Sequence, residues 1–156
     1  MRLLRPLADV SGSVAIEFVA VVPILLVVVA FMVDIGGAFY AQTQLQNAAQ
    51  AGARYAQVNG WNSVGIANAV TSATDLASVS AAPAPRLACG CPQGTSLQLL
   101  AADCSTRVPP ATACPDGSTP GRYVIVGARY TYSAPFSVAS WPASVTYTAN
   151  ATSRLD

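Results

Sequence analysis

The sequence predicts an α+β protein: a long N-terminal transmembrane helix, a second short helix, and a small antiparallel sheet stapled by disulfides. Three observations carry that prediction. Residues 14–33 form a twenty-residue apolar run near the N-terminus. Prolines are absent between Pro23 and Pro83, and the segment after the run is rich in alanine and glutamine. From Arg86 onward, stretches of valine, isoleucine, threonine and tyrosine alternate with clusters of glycine and proline, and four cysteines lie among them.

The apolar run holds one charge, Glu17, and one proline, Pro23. Its length matches the ~20 residues needed to cross a bilayer core. Arg2 and Arg5 precede it, and the next arginine is Arg54. Positive charge stays on the cytoplasmic side, so residues 1–12 are expected inside and the remainder outside. Phe39 and Tyr40 are placed to sit at the far headgroup layer. A cleavable secretory signal has a shorter apolar region of about 7–15 residues, and Ala38-Phe39-Tyr40-Ala41 is a poor cleavage site. Pro23 removes the hydrogen bond to the Val19 carbonyl and predicts a local bend, which membrane helices tolerate.

Glu17 is out of place in such a run. A carboxylate at the centre of a membrane helix costs about 2.5–3.5 kcal/mol on insertion scales, so it needs a role and a partner. A cut after Gly12 would supply one: the freed α-amine of Ser13, four residues before Glu17, on the same chain or on a neighbour. An opposite charge within about 4–6 Å keeps a carboxylate ionised and offsets its desolvation.

Residues 41–56 continue the helix. Ala41, Leu45, Ala48, Ala49, Gly52, Ala53 and Ala56 recur at spacings of three and four, one apolar stripe. One helix is expected from Ser13 to about Gln57, roughly 65 Å long, ending at the turn signal Asn59-Gly60. Ala48, Gly52 and Ala56 have the spacing of small residues that lets helices approach closely. The stripe has two uses: packing against helices of neighbouring subunits, or docking the chain's own outer domain.

Gly12-Ser13-Val14-Ala15-Ile16-Glu17-Phe18 resembles the processing site of type IV prepilins. Residues 11–58, with Glu17-Phe18, Val22-Pro23-Ile24, Asp34, Ala38-Phe39-Tyr40, Gln44-Leu45-Gln46-Asn47-Ala48-Ala49 and Ala51-Gly52-Ala53-Arg54-Tyr55-Ala56, are similar to TadE-like proteins, pseudopilins of tight-adherence (Flp-type) pilus systems. The resemblance implies a prepilin peptidase cutting between Gly12 and Ser13 on the cytoplasmic side, with Glu17 guiding subunit assembly. It further implies a minor pilin or pseudopilin of the bacterial inner membrane. Its partners would be the lipid bilayer, other pilins and the pilus assembly platform, and its role would lie in a pilus for surface attachment. The division expected is a leader at 1–12, the long helix at 13–58 with its membrane segment at about 14–33, and an extracytoplasmic domain at 59–156.

In that domain a second helix is expected over residues 64–79 with Ser63 as its N-cap, and residues 80–85 as a linker. Strands are expected at 86–91, 97–101, 122–132 and 144–152, separated by glycine and proline clusters; Tyr123-Val124-Ile125-Val126 and Val145-Thr146-Tyr147-Thr148 are the β-rich stretches. Cys89, Cys91, Cys104 and Cys114 all lie on the exported side, where an even count reads as two disulfides. Cys89 and Cys91 point to one face of a strand and are too close in sequence to bridge each other without strain. Two pairings stay open: 89–104 with 91–114, or 89–114 with 91–104.

Other chemistries fit poorly. The chain has no histidine, hence neither the usual general base nor the commonest metal ligand. A zinc site lacks cysteine pairs at the usual spacing. Cys89-Gly90-Cys91 is not the Cys-x-x-Cys of thiol oxidoreductases. Asp116-Gly117 is an ordinary turn dipeptide rather than a calcium loop. Phe136 and Trp141 are expected in the core rather than as an exposed patch. The net charge of +1 without a basic stripe gives no footprint for nucleic acid. No enzymatic activity, metal, cofactor or small-molecule substrate is expected. The rival to the pilin reading is an uncleaved, membrane-tethered binding module.

Overall fold

The computed structural model describes residues 11–94, 96–100, 113–136 and 144–155. Among the described residues, two helices, α1 (Ser11–Asn59) and α2 (Ser63–Ser72), precede four strands: β1 (Arg86–Gln93), β2 (Ser96–Leu100), β3 (Gly121–Ser133) and β4 (Ser144–Leu155). The strands form one antiparallel sheet in the order β2-β1-β3-β4.

Helix α1 runs 49 residues, about 73 Å at 1.5 Å per residue. Pro23 lies inside it. It stops at Gly60, whose φ of 74° is a left-handed conformation that glycine adopts without a side-chain clash. The C-terminal part of α1 is the spine of the folded domain. Ala41, Leu45, Ala48, Ala49, Ala53 and Ala56 are all buried, and all but Ala41 form one core cluster with Ile66 and Val70 of α2 and Val124, Val126 and Ala128 of β3. The small-residue stripe is therefore consumed within the chain. Packing of these residues against a neighbouring subunit is excluded by their burial, because the chain's own sheet and second helix already occupy that face.

Alternation in β3 explains the sheet's two sides. Val124, Val126 and Ala128 face α1, opposite Ser153, Ala151 and Ala149 of β4. The other face carries Thr131 and Thr146, whose exposed hydroxyls lie 3.0 Å apart. Ser153 is buried against the helix, where its hydroxyl donates to the Ala53 carbonyl at 3.1 Å. That bond satisfies a polar group whose desolvation would otherwise cost about 1–3 kcal/mol.

Helix α2 differs from expectation at both ends. Its N-cap is Asn62, whose side-chain oxygen accepts from Gly65 N at 3.0 Å; Ser63 is the first helical residue. The helix ends at Ser72 instead of residue 79. There the Thr71 hydroxyl bonds back to the carbonyls of Ala67 and Asn68, and the Thr74 hydroxyl accepts from Leu76 N. Such local side-chain bonds compete with the helix ladder. The linker is also partly stitched down, because Ser80 exchanges two backbone hydrogen bonds with Arg129.

Cys91 is bonded to Cys114, with Cα atoms 5.6 Å apart. This is the bridge of the first of the two pairings. Cys89 is disulfide-bonded as well and fully buried, while Cys104 lies outside the described residues. Just past Cys114 the chain turns: Gly117 N donates to the Cys114 carbonyl at 2.8 Å, and Asp116 accepts from Ser118 N and Oγ. Those two bonds hold the Asp116 carboxyl below its usual value. The turn reading of Asp116-Gly117 is thus what the structure contains. Closing a 23-residue separation restricts the unfolded chain by about 3 kcal/mol in the loop-entropy picture. The double variant C91S/C114S is expected to lower the unfolding free energy of the folded domain by about 2–4 kcal/mol, read as a lower urea midpoint for the full chain in detergent.

Candidate functional site

The lower part of α1 touches almost nothing. Ile16, Phe18, Val19, Ile24, Leu25 and Leu26 are each more than half exposed, and the apolar side chains continue bare up to Val33. The most apolar eighteen-residue window has a mean hydropathy of 2.9 and is 0% buried. Soluble monomers rarely expose apolar patches of more than a few hundred Å². A bare helix of this length and composition fits a single-pass membrane protein.

Three sequence-predicted site residues lie at its start. Gly12 and Ser13 fall in the first turn of α1, which begins at Ser11. Glu17 is one turn further, exposed on the same helix. The rise from Ser13 to Glu17 is about 6 Å along the axis, within the range over which an amine and a carboxylate interact strongly. Residues 1–10, most of the expected leader at 1–12, lie outside the described residues. Cys89, Cys91 and Cys114 are far off in the folded domain and take no part in this site. Both Cys89 and Cys91 are buried and disulfide-bonded, so Cys89-Gly90-Cys91 presents no thiol for exchange.

Asp34 marks where the bare helix meets the folded domain. Sequence reasoning used it only as the end of the apolar run. In the structure it is 5% exposed and accepts a hydrogen bond from the Phe136 backbone N–H at 3.3 Å. The Tyr132 hydroxyl donates to its main-chain carbonyl at 3.2 Å. Burial, and then the Asp34 carboxylate nearby, push the Tyr132 phenol above its ordinary pKa. Gly37 makes the contact possible: a Cβ there would collide with the Tyr132 hydroxyl. The membrane end of the sheet is thereby fastened to α1 by two hydrogen bonds and one close approach. A single aspartate after an apolar run carries no sign of partners about a hundred residues away.

Phe136 also departs from expectation. It is 57% exposed instead of buried, because its side chain lies over the bare flank of α1 and not under the sheet. Trp141 lies outside the described residues. Phe39 and Tyr40 are exposed, as residues of a headgroup layer would be.

Comparison with known proteins bears on this same helix. Residues 12–54 match the model of the family described as TadE-like protein, a family associated with Tad pili. The match spans Gly12, the bare helix and most of the buried stripe. No match was found among curated proteins or among solved structures.

Proposed function

We propose that this chain is a minor pilin or pseudopilin that helps to assemble or initiate a Flp-type pilus for surface attachment. The observation that carries the proposal is the bare apolar helix with a carboxylate in its second turn, lying within the TadE-like segment. The chain spans the bacterial inner membrane once, with its N-terminus in the cytoplasm and the disulfide-bonded domain outside. A prepilin peptidase removes residues 1–12. The new amine of Ser13 and the Glu17 carboxylate then form opposite charges on one helix end. A subunit joining an assembly slides its Glu17 toward a neighbour's amine, and the attraction sets its depth while the apolar flanks pack. The chain is thus a substrate and a building block, and its partners are the bilayer, the peptidase, other pilins and the assembly platform.

The test is removal of the gene from its own bacterium, with pili scored by electron microscopy. Loss of pili, restored by the full-length chain supplied in trans, is the expected result. Normal pili and normal surface attachment without the chain would contradict the proposal and favour a tethered binding module.

A further inference from the structure

The course of the sheet along α1 can be followed from residue to residue. Val126 of β3 lies beside Gly52, and Tyr132 lies beside Gly37 and Asp34. The six residues from Val126 to Tyr132 cover about 20 Å of strand, and the fifteen from Gly52 to Gly37 about 22 Å of helix. The two therefore run side by side in opposite directions, and β3 descends toward the apolar end of the helix. β4 returns upward, reaching Ala53 with Ser153. The end of β3, with Ala134, Pro135 and Phe136 after it, is consequently the part of β3 nearest the bare segment.

Phe136 lies three residues past the end of β3. Its backbone is held at the level of Asp34, while its side chain, with Leu26, Val27, Val29, Ala30 and Val33, lines an open groove of about 390 Å³. From Val33 to Leu26 the helix drops about 10 Å. That is well inside one leaflet, whose hydrocarbon half-thickness is about 15 Å. Ala134, Pro135 and Phe136, which follow β3, carry no charge, and the groove is lined by apolar side chains alone. Asp34, the one carboxylate at this level of α1, is buried and occupied by Phe136 N.

We propose that the end of β3 is a second membrane contact, with Phe136 inserted in the acyl region of the outer leaflet beside α1. This rests on the reading of α1 as a membrane span. The occupant of the groove is lipid acyl chain, because the groove is continuous with the bare face of the helix and offers no charge to a polar partner. Two contacts, one of them held by the Asp34 carboxylate and the Tyr132 hydroxyl, fix the tilt of the outer domain on the membrane. Zwitterionic lipid suffices for such a contact, and salt leaves it unchanged.

The experiment places tryptophan in turn at Phe136 and Leu26, in a W61F/W141F background, which is free of other tryptophans. The full chain is reconstituted into phosphatidylcholine vesicles whose acyl chains carry bromine near the headgroup end or near the tail end. For F136W the expected result is loss of emission with the shallow bromines and a blue-shifted maximum. L26W should be quenched too, and Trp61 in W141F alone should not be. Quenching of L26W without quenching of F136W would overturn this proposal and leave the membrane span standing. Absence of quenching at both positions would overturn the span as well. The unaltered chain provides a second reading with a photoreactive acyl chain. Adducts on the tryptic peptide covering residues 130–154 are expected, and adducts confined to the helix would contradict the contact.

Discussion

Gly52→Leu is expected to unfold the outer domain or bring it to the edge of unfolding. A Cβ built on Gly52 would stand 2.6 Å from Val70 Cγ2 and 2.9 Å from Val126 Cγ1, both fully buried. Real Cβ contacts of that length do not occur, so α2 or the sheet must move. Inserting even small groups into a packed core costs about 1–3 kcal/mol, and leucine brings three carbons beyond the first. Alanine at the same site gains about 1 kcal/mol of helix propensity, which partly offsets its clash; leucine gains no more than that and clashes further. An expected loss of at least about 3 kcal/mol is large beside the 5–15 kcal/mol of a typical domain. The control is Gly36→Leu on the same helix, where nothing lies within 4 Å of the added Cβ. The urea midpoint in detergent should fall sharply for the first variant and hold or rise for the second. Equal midpoints would mean that the stripe does not carry the domain.

Glu17→Leu should have the opposite profile: an intact fold and no pili. Glu17 is exposed and about 36 Å of helix below Ala41, the first residue of the buried stripe, so the outer domain does not sense it. Removing the carboxylate eases membrane insertion by about 2.5–3.5 kcal/mol, and the amount of protein in the membrane should hold or increase. Assembly should nevertheless fail, because the attraction between Glu17 and a neighbour's Ser13 amine is gone. Glu17→Gln separates charge from polarity and should fail as well. The assay is complementation of the deletion strain, with pili counted beside membrane levels of the protein. Full piliation by E17L would remove the assembly role from Glu17.

Much of this was legible in the sequence because it depends on local pattern. The apolar run, the lack of proline from residue 24 to 82 and the Asn59-Gly60 stop define α1 to within two residues at each end. β3 and β4 lie where β-branched and aromatic residues concentrate, while β1 and β2 hold none and were marked only by the glycine and proline clusters around them. The sequence left open what the stripe packs against, since alanines and glycines at helical spacing suit a neighbour or the chain's own sheet equally well. The collision space at Gly52 decides between them, and it is created by Val126, some seventy residues away. Asp34 and Phe136 were opaque for the same reason: their roles arise from β3 descending along α1. The end of α2 was misjudged because Leu76 and Val79 keep helical spacing, while the hydroxyls of Thr71 and Thr74 turn the chain away first.

The reading of the chain as a processed pilin-like subunit meets its most direct test in the intact mass of the membrane-extracted protein, made with and without a type IV prepilin peptidase. Processing predicts loss of the mass of residues 1–12 only when the peptidase is present, and retention of the full mass when Gly12 is replaced. A full-length mass under every condition would contradict it, leaving Glu17 without an amine to meet and the chain a tethered domain.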